Sequence, residues 1–153
     1  MPDMPHAERF FDLVVYQHAR ELQKVVFDLS RGFAAEEKYS LTDQIRRSSR
    51  SIGAQIAESW AKRDYIKHFT SKLSDADGEQ LETQHWITTA VDCGYVEKEP
   101  ATQAFQLCLR IGRMLGSMKE KAAQFCPNES ARVREPDAEF FAPSPHPFPA
   151  TGH

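Results

Sequence analysis

Between residues 6 and 99 the chain contains no proline, although it has nine in all. Proline inside a helix costs about 3 kcal/mol, through a lost hydrogen bond and a steric clash. Its absence leaves a long stretch free to be helical. Strand signals are also missing, with no alternating β-branched runs and no Asn-Gly hairpin turns. No apolar run approaches the ~20 residues that a membrane span needs. The start, MPDMPHAERFFDLVV, carries acids where a secretory leader needs a basic segment, and no long apolar stretch follows. The expectation is a cytoplasmic helical protein with no membrane partner.

Cysteine is scarce, with Cys93, Cys108 and Cys126 forming an odd set without C-x-x-C spacing. That speaks against a disulfide framework and a zinc site, and Cys108 is expected as a small core residue. The histidines include no pair at i, i+3 or i, i+4, so helical metal chelation is unsupported. Ser48, Ser49 and Ser51 lack the base and oxyanion donors that a nucleophile requires and instead suit close helix packing. No catalytic residue, cofactor, metal or small-molecule substrate is expected. Charge of one sign is lacking too. The net charge of −3 gives no global basic field and no bulk attraction to nucleic acid.

What is present is helical periodicity. Phe11, Val15, His18, Leu22, Val25 and Leu29 step by four and three, as do Leu41, Ile45, Ser48, Ile52, Ile56 and Ser59. A third seam runs Ile66, Phe69, Leu73, Ala76, Gln80, Thr83, Ile87, Ala90, and a fourth runs Ala104, Cys108, Ile111, Leu115, Met118, Ala122, Phe125. Four seams that must cover one another predict an all-α, antiparallel up-down four-helix bundle over residues 1–126. Gln80 and Thr83 are read as register-setting residues, and His18 as a satisfied core histidine. Gly32 is expected in the left-handed position that ends the first helix, and Ser40 with Asp43 as a capping box for the second. Asp64 is expected to cap the third helix, Gly94 to end it, and Pro100 to sit near the start of the fourth. Residues 127–153 form a Pro-rich tail, expected to be disordered or extended, with docking of Phe140, Phe141 and Phe148 on the bundle as the alternative.

The first two helices carry a recognisable pattern. Phe10, Asp12, Leu13, Val15, Tyr16 and Gln17 follow Phe-x-Asp-Leu-x-Val-Trp-Gln, with tyrosine in place of tryptophan. Leu41, Thr42, Gln44, Ile45, Arg46 and Arg47, then Ser51, Ile52, Ile56, Ala57 and Glu58, follow Leu-Thr-x-Gln-Ile-Arg-Arg and Ser-Ile-x-x-Asn-Ile-Ala-Glu-Gly. Gln55, Ser59 and Gly53 replace an asparagine, a glycine and a frequent proline of that pattern. Leu81-Glu82-Thr83-Gln84 and Cys93-Gly94-Tyr95 continue the match. The chain resembles the four-helix-bundle family of bacterial 23S rRNA intervening-sequence proteins, which is related to the accessory variability protein of diversity-generating retroelements. The resemblance implies a bundle that assembles into a ring, typically of five copies, without enzymatic activity. For the retroelement relatives it implies binding of nucleic acid and of a reverse transcriptase through a strongly basic surface.

Here charge is segregated instead. Residues 37–67 hold seven basic and four acidic side chains, whereas residues 68–99 hold two basic and seven acidic ones. On a helical wheel, Gly53, Ala54, Ala57 and Ala61 lie to one side of the isoleucine face, beside Arg46 and Arg50. Small residues admit close approach of another helix. Arg46, Arg50, Gly53, Ala57 and Ala61 are therefore the candidate contact with a neighbouring helix or subunit, the arginines reaching acids such as those of the third helix. A solvated face is the alternative. Arg47, Lys62 and Arg63, with Arg110 and Arg113 on the fourth helix, are the candidate nucleic-acid contacts. The expected function is a non-catalytic homo-oligomeric interaction or scaffold protein, with a protein partner. The alternative is a nucleic-acid-binding accessory protein using a basic patch on the second and fourth helices.

Overall fold

A computed structural model describes residues 9–127 and 137–142. Four α-helices account for most of them: α1 (Val14–Ser30), α2 (Leu41–Ala61), α3 (Ile66–Asp92) and α4 (Lys98–Glu120). No strand occurs among the described residues; one isolated antiparallel bridge joins Leu13 to Phe141. Short connections fold the helices up and down, so that α1 packs on α2 and α4, and α3 on α2 and α4. Helices α2 and α4 are thus diagonal partners, with outward faces on opposite sides. The fold is the all-α four-helix arrangement that the seams predict.

Three of the seams are buried as read, except that Ile66 at the start of the third is half-buried. Leu41, Ile45, Ser48, Ile52, Ile56 and Ser59 of α2 all lie in the core, as do Phe69 to Ala90 of the α3 series and Ala104 to Phe125 of the α4 series. In α1 the buried line is Val15, Ala19, Leu22, Val26 and Ser30 instead. His18, Val25 and Leu29 sit half-buried at its edge. The reason is steric. Ala19 lies beside Gly53 of α2, whose added Cβ would come 3.9 Å from the Ala19 Cβ and 3.5 Å from the Tyr16 ring. Gly53 leaves room for Ala19 and the edge of the Tyr16 ring, so α1 approaches α2 on the Val15–Ala19–Leu22 side. His18 is accordingly no core residue; its Nδ1 stands 3.7 Å from Glu21.

The polar core residues are paired. Ser48 Oγ and Thr83 Oγ1 lie 2.9 Å apart across α2 and α3, and Thr83 also donates to the Glu79 carbonyl at 2.9 Å. Removing one partner from such a pair costs about 1–3 kcal/mol, so the pair fixes the register of α2 on α3. Gln80 donates to Asp77 at 2.9 Å and accepts from Gln84 at 2.7 Å. Opposite this ladder stands Gly112 of α4, where a Cβ would fall 2.8 Å from the Gln80 amide nitrogen. Cys108 and Cys126 are buried and Cys93 is exposed; burial pushes the Cys108 thiol up to about 12.

The helix ends differ in part from the expected caps. Gly94 takes φ +76°, and the amides of Gly94 and Tyr95 donate to the Val91 and Ala90 carbonyls at 2.9 Å, closing α3 in a Schellman motif. Gly32 does not adopt the left-handed conformation; the chain leaves α1 through tight turns in which the Gly32 and Phe33 amides donate to the Leu29 and Ser30 carbonyls at 3.2 and 3.1 Å. Ser40 precedes α2 but donates to Glu37 at 2.8 Å instead of capping the helix. Tyr65 rather than Asp64 holds the N-terminal position of α3. Pro100 lies in the first turn of α4, where its missing N–H is harmless.

Part of the tail docks. Phe140 is buried against Phe125, with ring centroids 5.2 Å apart, and Lys121 pairs with Asp137 at 2.7 Å and Glu139 at 3.2 Å. Residues 137–142 therefore pack on the bundle, since two adjacent phenylalanines provide apolar area that the prolines around them do not. The expectations for residues 128–136 and 143–153, Phe148 included, fall outside the described residues.

Gly78 and Gly112 make opposite predictions. Gly78 lies within α3 with nothing near its missing Cβ, so Gly78→Ala should stabilise the fold by about 0.5–1 kcal/mol. Gly112→Ala should destabilise it by about 1 kcal/mol or more, because the methyl group displaces the Gln80 amide. Urea denaturation of both variants measures the two signs.

Candidate functional site

The outward edge of α2 begins one turn before the helix does. Tyr39, Asp43, Arg46, Arg50 and Ala54 recur at steps of three and four, and so share one stripe. With Lys38, Thr42, Arg47 and Ser51 they line a shallow, open groove of about 620 Å³. Its rim holds four cations and one acid. Tyr39 is 84% exposed, with the Lys38 ammonium 5.3 Å from its ring centroid.

Two of the arginines are held in place by α1. Arg46 Nε donates to Ser30 Oγ at 2.7 Å, and its guanidinium carbon lies 4.6 Å from the centroid of the Phe27 ring. Arg50 lies 5.9 Å from the same centroid. Phe27 is thus covered by cations that desolvate one face and leave N–H edges toward the groove. Arg47 turns the other way. Its Nη2 meets Glu82 Oε1 of α3 at 2.8 Å, and Trp86 Nε1 donates to that same oxygen at 3.2 Å. Next to this pair Glu79 buries Oε2 without a hydrogen-bond partner, and its carboxyl is raised above the ordinary range, first by burial and then by the Glu82 charge.

The other sequence candidates are distributed differently. Gly53 is buried against Tyr16 of α1 within the chain. Ala57 is half-buried, and Ala61 and Lys62 are exposed at the far end of α2. Arg63 stacks 3.8 Å from the Trp60 ring centroid and donates Nε to the Trp60 carbonyl at 2.7 Å. Arg110 and Arg113 are exposed on α4, on the opposite side of the bundle from the groove. The structure therefore brings Arg46, Arg47 and Arg50 together but places Lys62, Arg63, Arg110 and Arg113 elsewhere. Lys38, Tyr39 and Phe27 were not singled out from the sequence.

The substituted family positions are accommodated locally. Ser59 Oγ donates to the Ile56 carbonyl at 2.6 Å, so the hydroxyl is satisfied inside α2. Gln55 Oε1 accepts from Lys72 Nζ at 3.3 Å, and Lys72 also pairs with Glu58 at 2.8 Å. That pairing holds the Glu58 carboxyl below its usual range and the Lys72 ammonium above its own. Among the described residues no group of three His, Cys, Asp or Glu side chains could hold a metal ion, and no helix is long and apolar enough to cross a membrane.

Glu79 supplies a pH prediction. A carboxyl whose pKa is higher in the folded than in the unfolded state favours folding at low pH and opposes it once ionised. Glu79→Gln should therefore raise the melting temperature at neutral pH. The gain should vanish below the ordinary carboxylate range of about pH 4. Thermal melts of both chains across that interval measure it.

Comparisons place this architecture. A crystal structure at 1.70 Å of a protein of unknown function from the S23 ribosomal protein family of Bacteroides thetaiotaomicron VPI-5482 matches with a TM-score of 0.64 and 27% sequence identity. The match covers 70% of this chain and 99% of that one. No curated protein matches the sequence. The sequence model of the 23S rRNA-intervening sequence protein family matches residues 11–117, the span from the 3-10 turn ahead of α1 into the last turns of α4. On this match and on its four-helix fold, the chain belongs to the 23S rRNA-intervening sequence protein family.

Proposed function

We propose that the chain is a non-catalytic interaction module that assembles with copies of itself, the groove on α2 receiving an acidic surface of the next copy. The observation that carries this reading is the position of two charged features. Lys38, Arg46 and Arg50 surround the groove near the start of α2. Asp92, Glu97 and Glu99 are exposed where α3 turns into α4. The Phe33 and Tyr95 rings, 5.6 Å apart, tie the α1–α2 connection to that turn, so both features lie at one end of the bundle. They face different sides of it. Contacts between two different patches are head-to-tail and close into a ring when the rotation permits. Five copies is the number that the family resemblance implies.

The arginines suit this role because Phe27 and Ser30 orient them before any partner arrives. Pre-orientation reduces the side-chain entropy lost on binding. A protein partner with an equivalent acidic surface would use the same groove. A second reading, contact with RNA or DNA, is favoured by one feature, the bare Tyr39 ring beside the cations, on which a base could stack. Arg110 and Arg113 would contribute little to such a contact, since α4 faces the other way.

Mass in solution tests the proposal. Light scattering at low salt should give a multiple of the 17.4 kDa chain mass. Arg46→Glu with Arg50→Glu should reduce it to the single chain, and mixing this variant with Glu97→Lys/Glu99→Lys should restore association, in species that alternate the two variants. A charge-reversed variant that keeps both its fold and the parent mass would overturn the assembly. A salt series of RNA and DNA binding addresses the second reading, which fails if nothing binds even at low salt.

A further inference from the structure

At the opposite end of α2 from the groove, residues 137–142 occupy a cleft between the start of α1, the end of α2 and the end of α4. Their contacts fall into three kinds. The first is blind to sequence: the Ala142 amide donates to the Asp12 carbonyl at 3.0 Å, Gln17 Nε2 donates to the Ala142 carbonyl at 2.8 Å, and the Asp137 amide donates to Gln124 Oε1 at 3.1 Å. The Leu13–Phe141 bridge aligns the segment as a short added strand. The second kind is apolar. Phe140 is 1% exposed, and Phe141 meets Trp60 edge to face at 6.1 Å. The third is electrostatic, with Lys121 on both Asp137 and Glu139, whose carboxylates hold the ammonium above its usual range.

We propose that this cleft is a recognition groove for short extended segments of the pattern Asp-x-Glu-Phe-Phe, with the chain's own residues 137–142 as its resident occupant. Main-chain pairing supplies docking, a deep aromatic site supplies anchorage, and a single lysine selects for paired acids, which is the division of labour in recognition by strand addition. The resident segment also leaves part of the wall unmet, because the Trp60 indole N–H is buried without an acceptor. The segment is tethered to the bundle through residues 128–136. It therefore acts at a high effective concentration, and a competing segment of equal fit is excluded until the resident one is loosened. The proposal does not depend on assembly through the α2 groove.

The test uses the full-length chain and a fluorescein-labelled peptide, Asp-Ala-Glu-Phe-Phe-Ala, followed by anisotropy. Phe140→Ala with Phe141→Ala should release the resident segment, and this variant should bind the peptide about tenfold or more tightly than the unmodified chain does. Adding Lys121→Glu should remove that binding, and a peptide with alanine at the first phenylalanine should not bind. Should the phenylalanine variant lose its helical circular dichroism, Asp137→Lys with Glu139→Lys releases the segment by repulsion from Lys121, with both rings kept, and should show the same gain. Equal binding to the parent and the released chains, no binding to a folded released chain, or binding indifferent to Lys121→Glu would each overturn the groove.

Discussion

Helix α2 carries bulky aliphatic residues on one face and only serine, glycine and alanine along its flank, so α1 and α3 both come close to it. Gly53 lets Tyr16 and Ala19 of α1 approach, while Ser48 meets Thr83 of α3. The other core positions depend on this double contact. On the α1 side, His18, Val25 and Leu29 sit half-buried at the edge of that contact. The hydroxyl pair on the α3 side sets the register that brings the Gln80 ladder opposite Gly112. A helix held on two sides has only one edge left, and that edge bears the arginines.

The arginine edge is shaped by the same constraint. Phe27 stays 38% exposed, and Arg46 and Arg50 lie against its ring. The cations cost little to orient there, since their faces rest on an aromatic surface that already exists. Arg47 is used up differently, in an ion pair with Glu82, and Glu79 beside it is burdened by a second carboxylate. Within a single helix turn, Arg46 and Arg50 look outward while Arg47 ties the bundle together. The three cannot be treated as a single basic patch, although they lie within five positions of the sequence.

Legibility followed the strength of the underlying physics. The seams of α2, α3 and α4 were readable because large aliphatic residues mark them at steps of three and four. The α1 seam lies one position away from the reading at Ala19, Val26 and Ser30: Ala19 and Ser30 carry little hydropathy signal, and Val25 and Val26 are adjacent valines between which hydropathy does not choose. Gly94 was readable as a helix end because only its positive φ closes the Schellman motif, whereas Gly32 and Asp64 offered competent residues for caps that the chain does not use. The family pattern was readable along α1 and α2, and its substitutions at 55 and 59 are absorbed by local hydrogen bonds. The groove was half legible: its arginines were named, but Lys38 and Tyr39 lie before the helix, where periodicity gives no guide. Docking of residues 137–142 is legible only as the alternative, through Phe140 and Phe141, because a proline-rich composition argues for disorder unless two adjacent aromatic rings outweigh it.

The central claim is that the edge of α2 left uncovered by the bundle is where copies of the chain meet. Tyr39 stands on that edge at 84% exposure, and Tyr65, at 60%, stands at the far end of α2. Hydroxyl-radical footprinting of both tyrosines over a concentration series tests the claim directly. The account predicts that Tyr39 becomes protected as concentration rises while Tyr65 keeps its reactivity. A Tyr39 that stays equally reactive at every concentration, in a chain whose mass increases, would contradict it.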